Sequence, residues 1–147
     1  MTRLLLLAGS AFALAGCADN AAPVPMAGTQ FDGSYAGRDT LLRGVDFQCG
    51  DTSRPERIDV HDGQFAYPFP VSPPMIVPLP ARIAMDGTLH GRLRYGTEIN
   101  VVQFSQYRTD WAVLRGHITG TELDATLTTM RCVRHLTAQR SQTVGAN

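Results

Sequence analysis

From Phe31 onward the chain alternates apolar and polar residues with a period of two, and Asp-Gly pairs punctuate that alternation. The pairs are Asp32-Gly33, Asp62-Gly63 and Asp86-Gly87, and "ITGTEL" adds a glycine turn around Gly120. Asp-Gly suits the tight type I′ hairpin, whose two central residues both need positive φ. The flanks agree. Ile58 and Val60 alternate before the second pair, and Phe65, Tyr67 and Phe69 alternate after it. Ile83 and Met85 lead into the third, and Leu89, Gly91, Leu93 and Tyr95 follow it. Alternation of this kind marks half-buried antiparallel strands. No window of about 12 residues has helical periodicity. The fold class expected is all-β, a small antiparallel β-barrel or sandwich of about seven or eight strands, closed by one disulfide.

The second half continues in kind, with strands expected over 98–107 and 111–119. The stretch 122–136 alternates at Leu123, Ala125 and Leu127, then loses phase, which predicts one long strand with a bulge near Thr128–Thr129. Gly91, Gly116 and Gly120 would relieve crowding where strands bend. Segment 68–80 stands apart, because its six prolines argue against a central strand and for an extended polyproline conformation. Its apolar residues Met75, Ile76, Val77 and Leu79 fit a stiff crossover packed on the sheet, or else an exposed ligand loop.

Chemistry-bearing residues are sparse. His61, His90, His117 and His135 fall in separate segments without a metal-binding spacing, and no nucleophile elbow or phosphate loop is present. No catalytic residue, metal or cofactor is therefore assigned. Every basic residue other than histidine is arginine. That suits bidentate recognition of phosphate or carboxylate, but a GC-rich genome accounts for it more simply. Arg92 and Arg94 share one strand face, and Arg131, Arg134, His135 and Arg140 enrich the C-terminal end. Trp111 is expected in the core at one barrel end. Arg92, Arg94, Trp111, Met75 and Ile76 form the candidate ligand or partner surface, for an envelope protein or polymer.

The N-terminal residues determine the address. After Arg3, the stretch from Leu4 to Ala15 is apolar except for Ser10. A run of about 12 residues is too short for a membrane-spanning helix, which needs roughly 20, and reads as an export signal. It ends on Leu14-Ala15-Gly16-Cys17, which resembles the lipobox of bacterial lipoproteins. The resemblance implies cleavage before Cys17, a diacylglyceryl group on its sulfur and an acyl chain such as palmitate on its amine. With Ala18 rather than Asp after the cysteine, it implies the outer membrane, facing the periplasm, over the inner membrane.

The domain plan is then a signal peptide over 1–16, a flexible tether over 17–30, a β domain over 31–140 and a disordered tail over 141–147. Once Arg3 is removed, 12 arginines face 13 carboxylates, a net −1 that gives no global field for nucleic acid. Cys49 and Cys132 remain as a pair in an oxidising compartment, where a disulfide is expected. The chain-entropy argument values such a bond at roughly 4–5 kcal/mol, and it would bring the first and last strands together. The mature domain also loosely resembles calycin-like barrels, through "FDGSYAG" against their G-x-[WY]-x-G start, with Tyr35 where Trp is usual. The function expected is a non-enzymatic, lipid-anchored envelope lipoprotein with a structural or binding role. The alternative is a calycin-like small-ligand binder or a protease-inhibitor-type lipoprotein.

Overall fold

The computed structural model describes residues 27–72, 74–101 and 104–141. The signal peptide, Cys17 with its lipobox, and most of the tether therefore lie outside the described residues, as does the tail beyond Ser141. Eight strands account for nearly all of the rest: β1 Gly33–Arg43, β2 Ser53–Val60, β3 Gln64–Ser72, β4 Met75–Ile83, β5 Thr88–Val101, β6 Phe104–Thr119, β7 Glu122–Thr128 and β8 Val133–Arg140. A short 3-10 turn, Thr29–Phe31, precedes them, and a one-turn helix, α1 (Asp46–Cys49), joins β1 to β2. All strands pair antiparallel in one sheet of order β2-β1-β8-β7-β6-β5-β4-β3. Sequence neighbours are thus spatial neighbours, and the sheet curls until its two ends meet in a nearly closed barrel.

The alternation fills that barrel. Tyr35, Ile58, Tyr67, Phe69, Leu79, Leu114, Leu127 and Leu136 all point inward and are buried in one continuous core. The outward positions between them carry the polar residues. At Gly116 a Cβ would stand 2.2 Å from the Asp124 carbonyl oxygen on β7, so only glycine lets the two strands approach this closely. Gly120 instead serves the β6–β7 turn: its φ is +60° and open space surrounds it.

Several local expectations are corrected. Of the Asp-Gly pairs, only Asp62-Gly63 has both residues at positive φ, +52° and +65°. Asp32 ends the 3-10 turn, and its carboxylate accepts the N–H groups of Asp62 (2.9 Å) and Gly63 (2.8 Å), tying the start of the domain to that hairpin. Segment 98–107 is not one strand. β5 and β6 pair as far as Val101↔Phe104, so the chain reverses inside it. Nor is 122–136 a bulged strand, because the chain turns between Thr128 and Val133 and returns as β8. There the Thr129 N–H and hydroxyl both reach the Cys132 carbonyl, and that contact makes a tight turn of the phase slip.

The Pro-rich segment is a hairpin rather than a loop or crossover, with Pro68↔Pro78 and Phe69↔Val77 paired across it. Pro68, Pro70, Pro78 and Pro80 are tolerated because each places its missing N–H away from the β3–β4 ladder it joins. The Pro68 carbonyl points toward β2, where it accepts from Arg54 at 2.7 Å, so by alternation Pro70 faces the same side. Across the hairpin, Pro78 and Pro80 face β5, and the β4–β5 ladder accordingly holds only Ala81↔Gly91, Arg82↔His90 and Ile83↔Leu89. Leu79 is fully buried, but Met75 and Ile76 are more than half exposed.

Prolines on the free edge of β3 leave the β2–β3 seam without a ladder beyond the His61↔Gln64 bridge. A buried charge cluster spans it instead. Asp39 on β1 is wholly buried and accepts from Arg134 Nε of β8 (2.9 Å), Arg54 Nε of β2 (3.0 Å) and the Tyr67 hydroxyl of β3 (2.5 Å). Glu56 approaches Arg54 at 3.3 Å, so two arginines meet two carboxylates. Arg134 also donates to the carbonyls of Cys49 (2.8 Å) and Asp51 (2.9 Å), satisfying the C-terminal end of α1. Burial above all, and then the adjacent Asp39 carboxylate, push the Tyr67 hydroxyl far above its ordinary pKa, so it stays a donor.

Cys49 and Cys132 are bonded, with Cα atoms 5.8 Å apart, and β1 and β8 are paired neighbours as expected. Cys132 lies in the turn before β8 rather than within a strand, so the bond pins α1 onto that turn.

Two outcomes follow. Asp39→Ala leaves the buried Arg134 guanidinium without its carboxylate and takes one partner from the half-buried Arg54, and should lower stability in urea titrations by about 3–5 kcal/mol. The paired replacement Asp39→Leu with Arg134→Met should cost less than the sum of its single changes; additive losses would show that the cluster does not act as a unit. In thermal melts, Ile76→Asp should change stability by no more than about 0.5 kcal/mol, whereas Leu79→Asp should cost several. Equal losses would contradict the hairpin's in–out alternation.

Candidate functional site

Outward positions on β4, β5 and β6 gather most of the residues singled out from the sequence. β5 presents His90, Arg92 and Arg94, and its register sets Arg82 of β4 opposite His90. On the other side, Arg115 of β6 stands opposite His90 and Trp111 opposite Arg94. Outward residues two apart on a strand are about 6.6–7 Å apart along it. The wall is therefore a grid of cations rather than one point charge. Among the described residues, no carboxylate lies on β4, on β5 as far as Gly96, or on β6 from Trp111 to Thr119. Arg82, Arg92, Arg94 and Arg115 form no ion pair among the described residues.

Trp111 is not a core side chain. It is 42% exposed, and the Arg92 guanidinium lies 3.7 Å from its ring centroid. Period two decides this: Ala112 and Leu114 take the inward positions, so Trp111 must face out. Stacking restrains the guanidinium while its N–H edge keeps its donors, so Arg92 is oriented for an anion without being consumed by one.

A groove of about 620 Å³ runs beside this wall, lined in part by Arg82, His90 and Arg92 together with His61 and Asp59 of the β2 end. The fold thus brings two of the four histidines to one groove. His117 stands beside the β4–β5 turn, where Asp86 accepts the Thr88 N–H, and His135 contacts Asp124 at 2.9 Å. His61, Asp32 and Asp62 lie close enough to share a cation, but both Asp32 oxygens already accept backbone N–H groups of the hairpin. Met75 and Ile76 do not join the wall; they sit at the hairpin tip, at the opposite end of β4 from Arg82.

Arg134 belongs to the interior, not to a C-terminal surface patch, and is 1% exposed. Arg140 donates to the Asp32 carbonyl and Arg131 flanks the disulfide turn, so the C-terminal arginines are dispersed. Tyr95 donates to Asp110 at 2.8 Å; burial and then that hydrogen bond push its hydroxyl up to about 12. No protein-family model, curated protein or solved structure matches the chain.

Trp111 is the only tryptophan and reports directly on this wall. Arg92→Gln should uncover the ring, raising its quenching by iodide and shifting its emission to the red, with a stability change of only about 0.5–1 kcal/mol. Unchanged quenching would show that Arg92 does not cover Trp111 in solution.

Proposed function

We propose that this protein is a lipid-anchored envelope lipoprotein of the outer membrane, acylated at Cys17, whose β domain faces the periplasm in a non-enzymatic structural or binding role. The supporting observation is the Cys49–Cys132 bond, which takes two of the three cysteines and leaves Cys17 for lipid. A structural disulfide suits an oxidising, exported location, and the sequence ending on Leu14-Ala15-Gly16-Cys17 is the signal that would deliver the chain there. Among the described residues, no helix is long and apolar enough to cross a membrane, so the acyl chains would supply the attachment. Two or three such chains hold a protein durably where one does so only marginally.

Binding is assigned to the arginine wall, where unpaired guanidinium groups and an exposed aromatic ring present donors to an anionic partner. An inhibitor-type role would draw instead on the β3–β4 hairpin tip, which offers Met75 and Ile76 at 56% and 54% exposure.

Cells expressing the Cys17→Ser variant should incorporate no labelled palmitate, and the domain should leave the membrane fraction. Persistence of that variant in membranes after a high-salt wash would remove Cys17 as the anchor.

A further inference from the structure

The described chain starts beside the arginine wall. Ala27 pairs with Ala84, and the Gly28 N–H donates to Ile83 at 2.8 Å, fixing the root of the tether to the end of β4. Ala27 lines a groove together with Arg82 and His90. It lies ten positions after Cys17, and a fully extended segment of that length spans at most about 35 Å. A lipid anchor at Cys17 would therefore hold Ala27, and the β4 end of the wall beside it, within about 35 Å of the bilayer.

We infer that the outer wall of β4–β6, with Arg82, Arg92, Arg94, Arg115 and Trp111, docks on anionic phospholipid headgroups of the membrane that carries the anchor. The inference rests on the lipoprotein reading for its geometry. Phosphate groups match guanidinium forks, and each basic residue near a charged bilayer adds about 1 kcal/mol of attraction. Trp111 supplies the amphipathic ring that favours the headgroup level. Its Arg92 partner stays charged over the ring, so the pair presents both an apolar surface and a cation at one place. The nearby carboxylates are already engaged: Asp59 with Ser34 and Arg57, Asp86 with the Thr88 N–H, and Asp124 with His135. The mature chain, with 12 arginines against 13 carboxylates, carries a net −1, so attraction to the membrane is a property of this wall and not of the molecule at large.

The test uses the whole mature chain, residues 17–147, carrying Cys17→Ser and exported on an ordinary cleavable signal, so that no acyl chain contributes. It is mixed with vesicles of phosphatidylcholine alone or with roughly one-third phosphatidylglycerol, at low and at high salt. Co-sedimentation with the phosphatidylglycerol vesicles is expected at low salt only, with protection of Trp111 from iodide. Neutralising Arg82, Arg92, Arg94 or Arg115 to Gln should weaken the binding about fivefold each. Arg38→Gln, on the exposed outer face of β1 beside Ser53, should leave it within about twofold. Near-ultraviolet circular dichroism confirms that each variant is folded. Equal binding to both vesicle types, or binding to polygalacturonate but not to vesicles, would overturn the inference. If the native chain proves unlipidated yet the Cys17→Ser chain still binds phosphatidylglycerol through these arginines, the anchor reading falls and the docking wall stands.

Discussion

Everything at the closing edge of this barrel depends on one buried carboxylate. Asp39 receives Arg134, Arg54 and Tyr67 from three other strands, at distances between 2.5 and 3.0 Å. Such a cluster is weak evidence for stability in itself, because desolvation offsets much of the Coulombic gain. Its contribution is positional. A carboxylate has only a few lone-pair directions, so strands β1, β2, β3 and β8 must hold one relative register to satisfy it. No buried side-chain nitrogen or oxygen among the described residues is left without a partner. A slip of one residue would turn these charges outward and leave their partners buried and unpaired.

The prolines explain why a charge cluster is needed there at all. An ordinary barrel closes by a backbone ladder, but Pro68 and Pro70 remove the donors along the free edge of β3. That edge cannot complete the ladder with β2, and it is also a poor template for pairing with a second chain. Arg54 reaches over the gap to the Pro68 carbonyl, replacing part of the missing ladder with a side-chain donor. The neighbouring helical turn packs on the same gap, and Gly50 approaches Pro70 so closely that a Cβ there would stand 3.4 Å from the ring. The disulfide then fixes that turn from behind. Proline, arginine and cystine thus form one closure device.

Alternation makes the fold class and most strands legible, because burial on one face of a sheet imposes its pattern directly on the sequence, while the cystine is legible from the cysteine count and the oxidising compartment. The second half is less legible because its pattern has no sharp breaker: no glycine or proline stands between Val101 and Phe104, which pair across the β5–β6 ladder. The charge cluster carries a legible signal in the sequence. Arg54 and Glu56 share the inward phase of Ile58 and Val60; Asp39 shares that of Tyr35; Arg134 shares that of Leu136 and Ala138. Opposite charges at inward positions on three strands specify a buried network before any coordinate is known. The same rule, applied to Ala112 and Leu114, places Trp111 outside. What no local pattern contains is the register between strands, and register is what sets Arg82, His90 and Arg115 in one row.

The exclusive use of arginine takes on different meaning in the two places. Inside, Arg134 donates through Nε and both terminal nitrogens to a carboxylate and to backbone carbonyls, a geometry that a lysine ammonium on a flexible stem does not reproduce. Composition bias is therefore no explanation at that position; the chemistry requires the fork. On the outer wall a lysine would supply the same charge at Arg82, Arg94 and Arg115, and only Arg92, with its guanidinium 3.7 Å from the Trp111 ring centroid, is held over an aromatic face. Arg134 is committed through all three nitrogens and Arg54 through Nε and Nη2, whereas among the described residues those on the wall form no ion pair. That division, more than the number of arginines, separates the part of the molecule that holds the barrel together from the part available to a partner.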